Sequence, residues 1–134
     1  MNSLFKYFIL FSFINCNNLQ NEQISLRYYL VSVDSKENMS LGYSINDDNS
    51  SFVDVVGETV FSVGFDDKYI IVKQHPYNNR NVTNYFIVPI YKSFNYSPDT
   101  GVIGALTYEK FMMARKELKI SNDLNFTREI ENLK

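Results

Sequence analysis

The chain has 134 residues, of which 45% are hydrophobic and 16% aromatic, so it can build one domain with a packed core and is not typical of a disordered protein. Its formal net charge of −2 is too small to predict nucleic-acid binding. With one cysteine and one histidine, the sequence offers no internal disulfide and no site that needs two imidazoles, as common zinc sites do. The glycines are scattered and form neither a phosphate loop nor a dinucleotide fingerprint, so we expect no cofactor.

The first sixteen residues have the layout of a bacterial secretion signal that ends at a lipid-accepting cysteine. Lys6 precedes the apolar run of residues 7–14, which is too short to span a bilayer, and Cys16 follows almost at once. We therefore predict a lipoprotein-type signal peptide over residues 1–15 and lipid attachment at Cys16. Because Asn15 is bulkier than the Gly, Ala or Ser usual before such a cysteine, plain secretion and a cytoplasmic location stay open as alternatives.

Attachment at Cys16 sets the expected location and the domain organisation. Export through the general route, followed by lipidation, would hold the protein at a membrane of the cell envelope by its N-terminal lipid. Residues 16–26 are mostly polar and are interpreted as a tether. Residues 27–134 are interpreted as a single domain.

The first part of that domain alternates between strand and turn patterns. Residues 28–33 and 41–45 carry the aromatic, β-branched and alternating apolar side chains that are typical of strands. Residues 46–51 form a loop by composition. Residues 52–56 are either a short strand or an irregular apolar segment.

A β-hairpin is predicted over residues 59–75, with Asp66-Asp67 as a two-residue turn. This turn places four apolar side chains on one core-facing side: Phe61, Val63, Ile70 and Val72. Residues 85–91 form another predicted strand, in which Pro89 must lie at an edge, a bulge or a strand end because it has no N–H to donate. Residues 93–104 are rich in loop-forming residues and are expected to form a long loop.

The period of the apolar residues becomes helical after residue 106. Thr107 is a good N-cap, and apolar residues then recur at helical spacing at Phe111, Ala114 and Leu118. A short second helix is expected over residues 128–133. Strands followed by a terminal helix predict an α+β fold: an antiparallel sheet of about five strands, in hairpin or meander order, with the C-terminal helix packed on it.

These features, in this order, resemble an uncharacterised family of short bacterial lipoproteins with a domain of unknown function. The resemblance is carried by the strand that begins Tyr28-Tyr29-Leu30, the hairpin at residues 63–73, the strand at 85–88, and the helix start at 106–111 with Leu118 behind it. It covers residues 27–126. The resemblance implies a small secreted domain and brings no agreed activity, cofactor or catalytic residue.

Residues that could carry catalysis are sparse. His75 is interpreted as a surface residue at a strand end, although a serine triad would need it as the base. The carboxylate pairs Asp47-Asp48 and Asp66-Asp67 are interpreted as solvated turn residues, since one pair offers too few oxygens for calcium. We therefore expect that the protein is not an enzyme, unless a cleft brings ionisable groups together around His75 or paired carboxylates.

Charge is segregated along the chain. Residues 34–67 contain eight acids and one base, a net charge of −7, whereas residues 68–92 contain four bases and no acid. The four bases are candidates for a partner-facing basic patch: Lys68, Lys73, Arg80 and Lys92. The simpler interpretation is complementary charge on neighbouring strands, and the more specific one is two opposed patches that steer a charged protein partner.

Together these patterns favour a non-catalytic, lipid-anchored envelope protein whose domain binds another protein. An immunity or inhibitor role is one form of that function, because a small tethered domain can block an incoming enzyme. The alternative is a small-ligand or glycan-binding module that uses aromatic loop residues: Tyr77, Tyr91, Phe94 and Tyr96. A concave pocket lined by these rings would favour the module, whereas a flat exposed sheet face or edge would favour a protein partner.

Overall fold

Nine β-strands and one α-helix are found in residues 21–77 and 79–134, the part of the chain that the computed structural model describes. The predicted signal peptide and Cys16 lie outside these residues. The elements are β1 (Glu22–Ser25), β2 (Tyr28–Val31), β3 (Ser40–Ser44), β4 (Phe52–Val56), β5 (Val60–Phe65), β6 (Tyr69–Gln74), β7 (Asn84–Pro89), β8 (Ile103–Leu106), α1 (Tyr108–Glu117) and β9 (Arg128–Glu129). Short 3-10 helices occupy Lys36–Asn38 and Glu131–Leu133.

The first sheet has the strand order β1-β2-β3-β4 and is antiparallel throughout. Residues 52–56 are a strand rather than an irregular segment, because they pair with β3. Part of the segment interpreted as a tether over residues 16–26 is also strand: residues 22–25 form β1, and Ile24 is buried in the core. One apolar residue among polar neighbours is too weak a pattern to predict such an edge strand.

The second sheet has the strand order β8-β7-β6-β5-β9 and is also antiparallel. Strands β5 and β6 form the predicted hairpin, but its turn is Asp67-Lys68 rather than Asp66-Asp67. The Asp66 carboxylate accepts hydrogen bonds from the backbone N–H groups of Lys68 and Tyr69, both at 2.8 Å, and so closes the turn one residue later. The register between β5 and β6 therefore differs from the predicted one by two residues. Because side chains alternate between the two faces of a sheet, a shift of two leaves each side chain on its predicted face.

The two sheets pack face to face over the larger of two cores. The four predicted core residues of the hairpin are all buried there: Phe61, Val63, Ile70 and Val72. The first sheet contributes Leu41, Tyr28 and Tyr43, and the two tyrosine rings meet edge to face with centroids 5.1 Å apart. The Tyr28 hydroxyl donates to the Pro89 carbonyl at 3.1 Å, which links the sheets. Pro89 is the last residue of β7, as its missing N–H predicts.

The helix α1 covers the opposite face of the second sheet, where the smaller core forms. Ile71 and Ile87 of the sheet pack there with Phe111 of the helix. The predicted N-cap is confirmed, since the Thr107 hydroxyl accepts a hydrogen bond from the Lys110 N–H at 3.3 Å. The second sheet is therefore buried on both faces, between the first sheet and the helix.

The helix ends in a left-handed turn at Lys119, whose φ is +55°. Ile120 N–H donates to Arg115 O at 2.9 Å and Lys119 N–H donates to Lys116 O at 3.1 Å, which are the two bonds of a Schellman motif. Glycine is usual at this position, because a side chain in the left-handed region costs about 1–2 kcal/mol. The helix end therefore carries a local strain that glycine would relieve.

Two sheets instead of one are the main correction to the predicted α+β fold. The loop expected over residues 93–104 runs into β8, which pairs with β7. The short helix expected over residues 128–133 is instead the two-residue strand β9, paired with β5, followed by a 3-10 helix. These differences arise from pairing between distant segments, which short local patterns do not encode.

Candidate functional site

The loops of the sandwich gather at its two ends, because each antiparallel strand starts at one end and finishes at the other. We call one the cleft end: residues 32–39, 57–59, 75–77, 79–83 and 130–134. We call the other the aromatic end: residues 26–27, 45–51, 66–68 and 90–102. The strand β1 begins at the cleft end and turns at the aromatic end.

An exposed group of rings and one cation lies at the aromatic end, and we call Arg27, Phe94 and Tyr96 the aromatic patch. Tyr96 is 93% exposed, and its ring meets that of Phe94 edge to face with centroids 4.9 Å apart. The guanidinium carbon of Arg27 lies 4.8 Å from the Phe94 centroid, within the range of a cation–π contact. Arg27 is held in turn by the Ser44 carbonyl at 3.1 Å and by Asp47 at 3.6 Å.

The loop that carries these rings is fixed to the core below it. The buried Tyr43 accepts a hydrogen bond on its hydroxyl from the Asn95 N–H at 2.9 Å, and its ring lies 6.0 Å from that of Phe94. The Tyr91 hydroxyl donates to Thr100 O at 2.7 Å, which closes the base of the same loop. The patch therefore lies on a loop that these hydrogen bonds already order, which lowers the entropic cost of binding a partner.

The four aromatic loop residues considered for a ligand-binding module do not line one pocket. Tyr91, Phe94 and Tyr96 lie at the aromatic end, whereas Tyr77 lies at the cleft end beyond β6. The strands β6 and β7 are antiparallel, so the loops that follow them leave from opposite ends of the sheet.

A second exposed feature is the edge of the first sheet at β4. Among the described residues this strand pairs only with β3, so its other side presents backbone groups to solvent. Val53 is exposed, and Phe52 meets Tyr29 edge to face on the outer sheet face with centroids 5.2 Å apart. Asp54 accepts a hydrogen bond from the Ser40 hydroxyl at 2.8 Å on that same face.

A cleft of about 490 Å³ lies at the cleft end, and we call it the His75 cleft. Its walls are formed by Glu37, Asn38, Glu58, Thr59, His75, Pro76, Tyr77, Asn79 and Arg80. His75 is only 4% exposed, so its interpretation as a surface residue is wrong. Its ring stacks on Phe61 at 4.0 Å, and its Nδ1 lies 2.8 Å from the Val82 carbonyl.

Two chain segments of opposite charge meet in this cleft. Arg80 donates to Glu37 at 2.5 Å and to the Asn132 carbonyl at 2.8 Å. Thr59 donates to the Glu37 carbonyl at 2.6 Å, which binds the rim together. The contact between Glu37 and Arg80 joins the acidic segment 34–67 to the basic segment 68–92, but through residues outside the strands and not through neighbouring strands.

The four candidate basic residues are spread over the molecule. Lys68 and Lys92 lie in loops at the aromatic end, whereas Arg80 lies at the cleft end. Lys73 lies on the helix-facing side of β6, with its ammonium 4.5 Å from the ring centroid of Phe126. Lys68 and Lys73 are five residue steps apart, which in an extended strand is about 17 Å.

The first residue of β1, Glu22, is held at the cleft end by an ion pair. Arg128 donates from Nε to both carboxylate oxygens of Glu22, at 2.9 and 3.0 Å. This hydrogen bond to Glu22 raises the pKa of the Arg128 guanidinium above its ordinary value. The point at which the chain enters the fold is therefore fixed relative to the sandwich.

Sequence reasoning missed Arg27 and Glu58, and no local pattern pointed to either. Arg27 becomes part of the patch only because the loop after β7 crosses it, 67 residues further along the chain. Glu58 lines the cleft because it lies in the connection between β4 and β5, which is at the cleft end where β4 finishes and β5 begins.

Within the residues that the structure describes, no three metal-ligating side chains come together. In that same part of the chain, no helix is long and apolar enough to cross a membrane.

The architecture is that of an antiparallel two-sheet sandwich with one helix on its outer face. The chain belongs to the family described as protein of unknown function (DUF3997), whose model matches residues 15–131. This confirms the predicted resemblance to a family with a domain of unknown function. A search of curated proteins and a search of solved structures each found no match.

Proposed function

We propose that this chain is a lipid-anchored protein of the cell envelope, attached through Cys16, whose domain binds a protein partner through the aromatic patch. The observation that carries the proposal is the ring of Tyr96, 93% exposed and packed against Phe94, which is 40% exposed and lies beside Arg27. Tyrosine and arginine are enriched among the residues that dominate binding energy in protein interfaces. Large rings left in water on a braced loop are favourable to bury against a partner.

The length of chain before β1 supports a partner that approaches from the aromatic end. Six residue steps separate Cys16 from Glu22, and at about 3.3–3.6 Å per residue they reach at most about 22 Å. A lipid at Cys16 would therefore hold the cleft end, where Glu22 enters the sandwich, close to the bilayer. The aromatic patch lies beyond the far end of β1 and would face away from the membrane.

The β4 edge gives a second reason to prefer a protein partner. An exposed edge strand can take up an extended segment of another chain through backbone hydrogen bonds. An immunity or inhibitor role is one form of this proposal, in which the tethered domain covers a site on an incoming enzyme. Binding of a glycan by the same rings is the alternative, since sugars also stack on exposed aromatic side chains.

A photo-crosslinking amino acid placed at Tyr96 in the producing cells tests the binding surface. We expect a discrete protein adduct that disappears when Phe94→Ala and Arg27→Ala are combined with the probe. A matched probe at Met113, which is exposed on α1, should give no such adduct. Equal adducts at both positions, or none at Tyr96, would contradict the protein-binding proposal, and an adduct that contains sugar would favour the glycan alternative.

Lipid attachment has its own test. Cells fed a labelled fatty acid should incorporate label into the wild-type protein and not into Cys16→Ala, because lipidation requires the thiol. Release of Cys16→Ala from the membrane fraction should accompany the loss of label. Equal label in the two proteins would refute the anchor and leave the proposed binding surface untouched.

A further inference from the structure

We propose that the His75 cleft is a second binding site, separate from the aromatic patch, and that it takes an organic cation: a guanidinium or primary ammonium group. The cleft's volume of about 490 Å³ falls within the range of small-ligand pockets, about 300–1,000 Å³. A single long basic side chain or a small amine would fill part of it.

The charge of the walls favours a cation. Among the residues that line the cleft, two are acidic, Glu37 and Glu58, and one is basic, Arg80. Arg80 already donates hydrogen bonds to Glu37 Oε1 and to the Asn132 carbonyl, so its charge is used in contacts at the rim. Glu58 is exposed and forms no ion pair among the described residues. The lining therefore keeps one negative charge that a ligand can neutralise.

The cleft also contains hydrogen-bond acceptors. The contact of His75 Nδ1 with the Val82 carbonyl requires Nδ1 to carry the proton, which leaves Nε2 as an acceptor in the neutral ring. Nε2 is buried and has no hydrogen-bond partner in the described residues, a costly state for a polar atom. Carboxylate oxygens of Glu37 and Glu58 add further acceptors. A guanidinium offers five donors and an ammonium three, so either group can use the carboxylate acceptors.

An aromatic wall completes the match. Tyr77 lines the cleft and is 80% exposed, so the face of its ring is open to an approaching cation. A cation over the face of a tyrosine ring is attracted by the negative potential of that face. An anionic ligand would instead meet the uncompensated carboxylate of Glu58, and the three-ligand clusters that hold metal ions are not found in the described residues.

The test compares charged and neutral probes on the full-length protein. N-acetyl-arginine amide and N-acetyl-lysine amide are titrated while the NMR signals of the His75 ring and the Thr59 amide are followed. N-acetyl-citrulline amide, which has the shape of the arginine probe without its charge, is the neutral control. We expect at least one cationic probe to bind about tenfold more tightly than citrulline, because its hydrogen bonds are charge-assisted.

Glu58→Gln should lower the affinity for that cationic probe by about tenfold, because it removes the carboxylate charge and keeps the shape. Glu117→Gln is the matched control, since Glu117 is an exposed acid on α1 outside the cleft. An unchanged thermal midpoint in both variants would show that folding is intact. Equal affinity for charged and neutral probes, an affinity that Glu58→Gln leaves unchanged, or signal changes that avoid His75 and Thr59 would each overturn the proposal.

Discussion

Replacing Gly64 with alanine should destabilise the domain strongly, because there is no room for a side chain at this position of β5. A Cβ built on Gly64 would lie 1.9 Å from the Asn125 carbonyl oxygen and 3.2 Å from Phe126 Cα. These are backbone atoms of the segment that crosses from α1 to β9, so the clash cannot be relieved by rotating a side chain. Overpacking of this kind typically costs about 1–3 kcal/mol and at times more. We expect the free energy of unfolding to fall by at least about 2 kcal/mol, with loss of the β5–β9 pairing.

Urea denaturation followed by circular dichroism measures this change, with Gly57→Ala as the matched control. Nothing lies within 4 Å of a Cβ built on Gly57, so the same substitution there should be neutral or stabilising by up to about 1 kcal/mol. A further check is amide exchange of Val63, whose backbone faces β9 and which should lose protection in Gly64→Ala alone. Equal stability of the two variants would refute the close packing of residues 125–126 on β5.

Three further predictions concern the helix end and the link between the sheets. Lys119→Gly should raise the free energy of unfolding by about 0.5–1 kcal/mol, because glycine accepts the positive φ, whereas Lys116→Gly inside the helix should lower it by about 1 kcal/mol. Urea midpoints that move in the same direction would contradict the Schellman geometry. Tyr28→Phe should cost about 1–2 kcal/mol, since it leaves the Pro89 carbonyl without its donor. Burial raises the pKa of the Tyr28 hydroxyl above 10.0 in the folded protein. The neutral hydroxyl therefore stabilises the fold below pH 10, and this stabilisation is lost as the pH rises through the folded pKa. The free energy of unfolding should accordingly fall less steeply in alkali for Tyr28→Phe than for the wild type.

Local patterns predicted the central strands and the helix, because the physical causes of these elements lie within a few residues. The alternation in β3 and the aromatic and β-branched run in β2 are typical of strands, although all five residues of β3 are buried. The start of α1 was predictable from Thr107, since an N-cap acts on an N–H only three residues away. The end of β7 at Pro89 was predictable because proline has no backbone N–H to donate to a neighbouring strand.

The arrangement of those elements was not predictable in the same way. The division into two sheets depends on where the chain leaves β4: Val60 N–H donates to Met39 O at 2.8 Å, and β5 then pairs with β6 instead of continuing the first sheet. The edge strands β1 and β9 contain only four and two residues, too few for a clear pattern, and each is defined by pairing with its neighbouring strand. The hairpin turn was predicted one residue too early, because a hydrogen bond to the Asp66 carboxylate stabilises a turn at Asp67-Lys68.

The candidate sites show the same limit more sharply. The rings of the aromatic patch could be listed from the sequence, but Arg27 could not be added to them without the fold. Charge segregation anticipated that acidic and basic segments would meet, and Glu37 with Arg80 is one such contact. It could not indicate which of the four bases would be engaged, because that depends on which loops share an end of the sandwich.

The energetics of the two sites suggest that their polar groups are not kept for stability. The pairs Arg27 with Asp47 and Glu37 with Arg80 are solvent-exposed in part, and such pairs contribute about 0–1 kcal/mol to folding. Stability resides instead in the buried residues between the sheets and under α1. The exposed pairs instead position the two arginines. Arg27 is held beside Phe94, and Arg80 is held at the rim of the His75 cleft. Substitutions at Arg27 and Arg80 should therefore separate binding from stability, which core substitutions such as Tyr43→Ala cannot do.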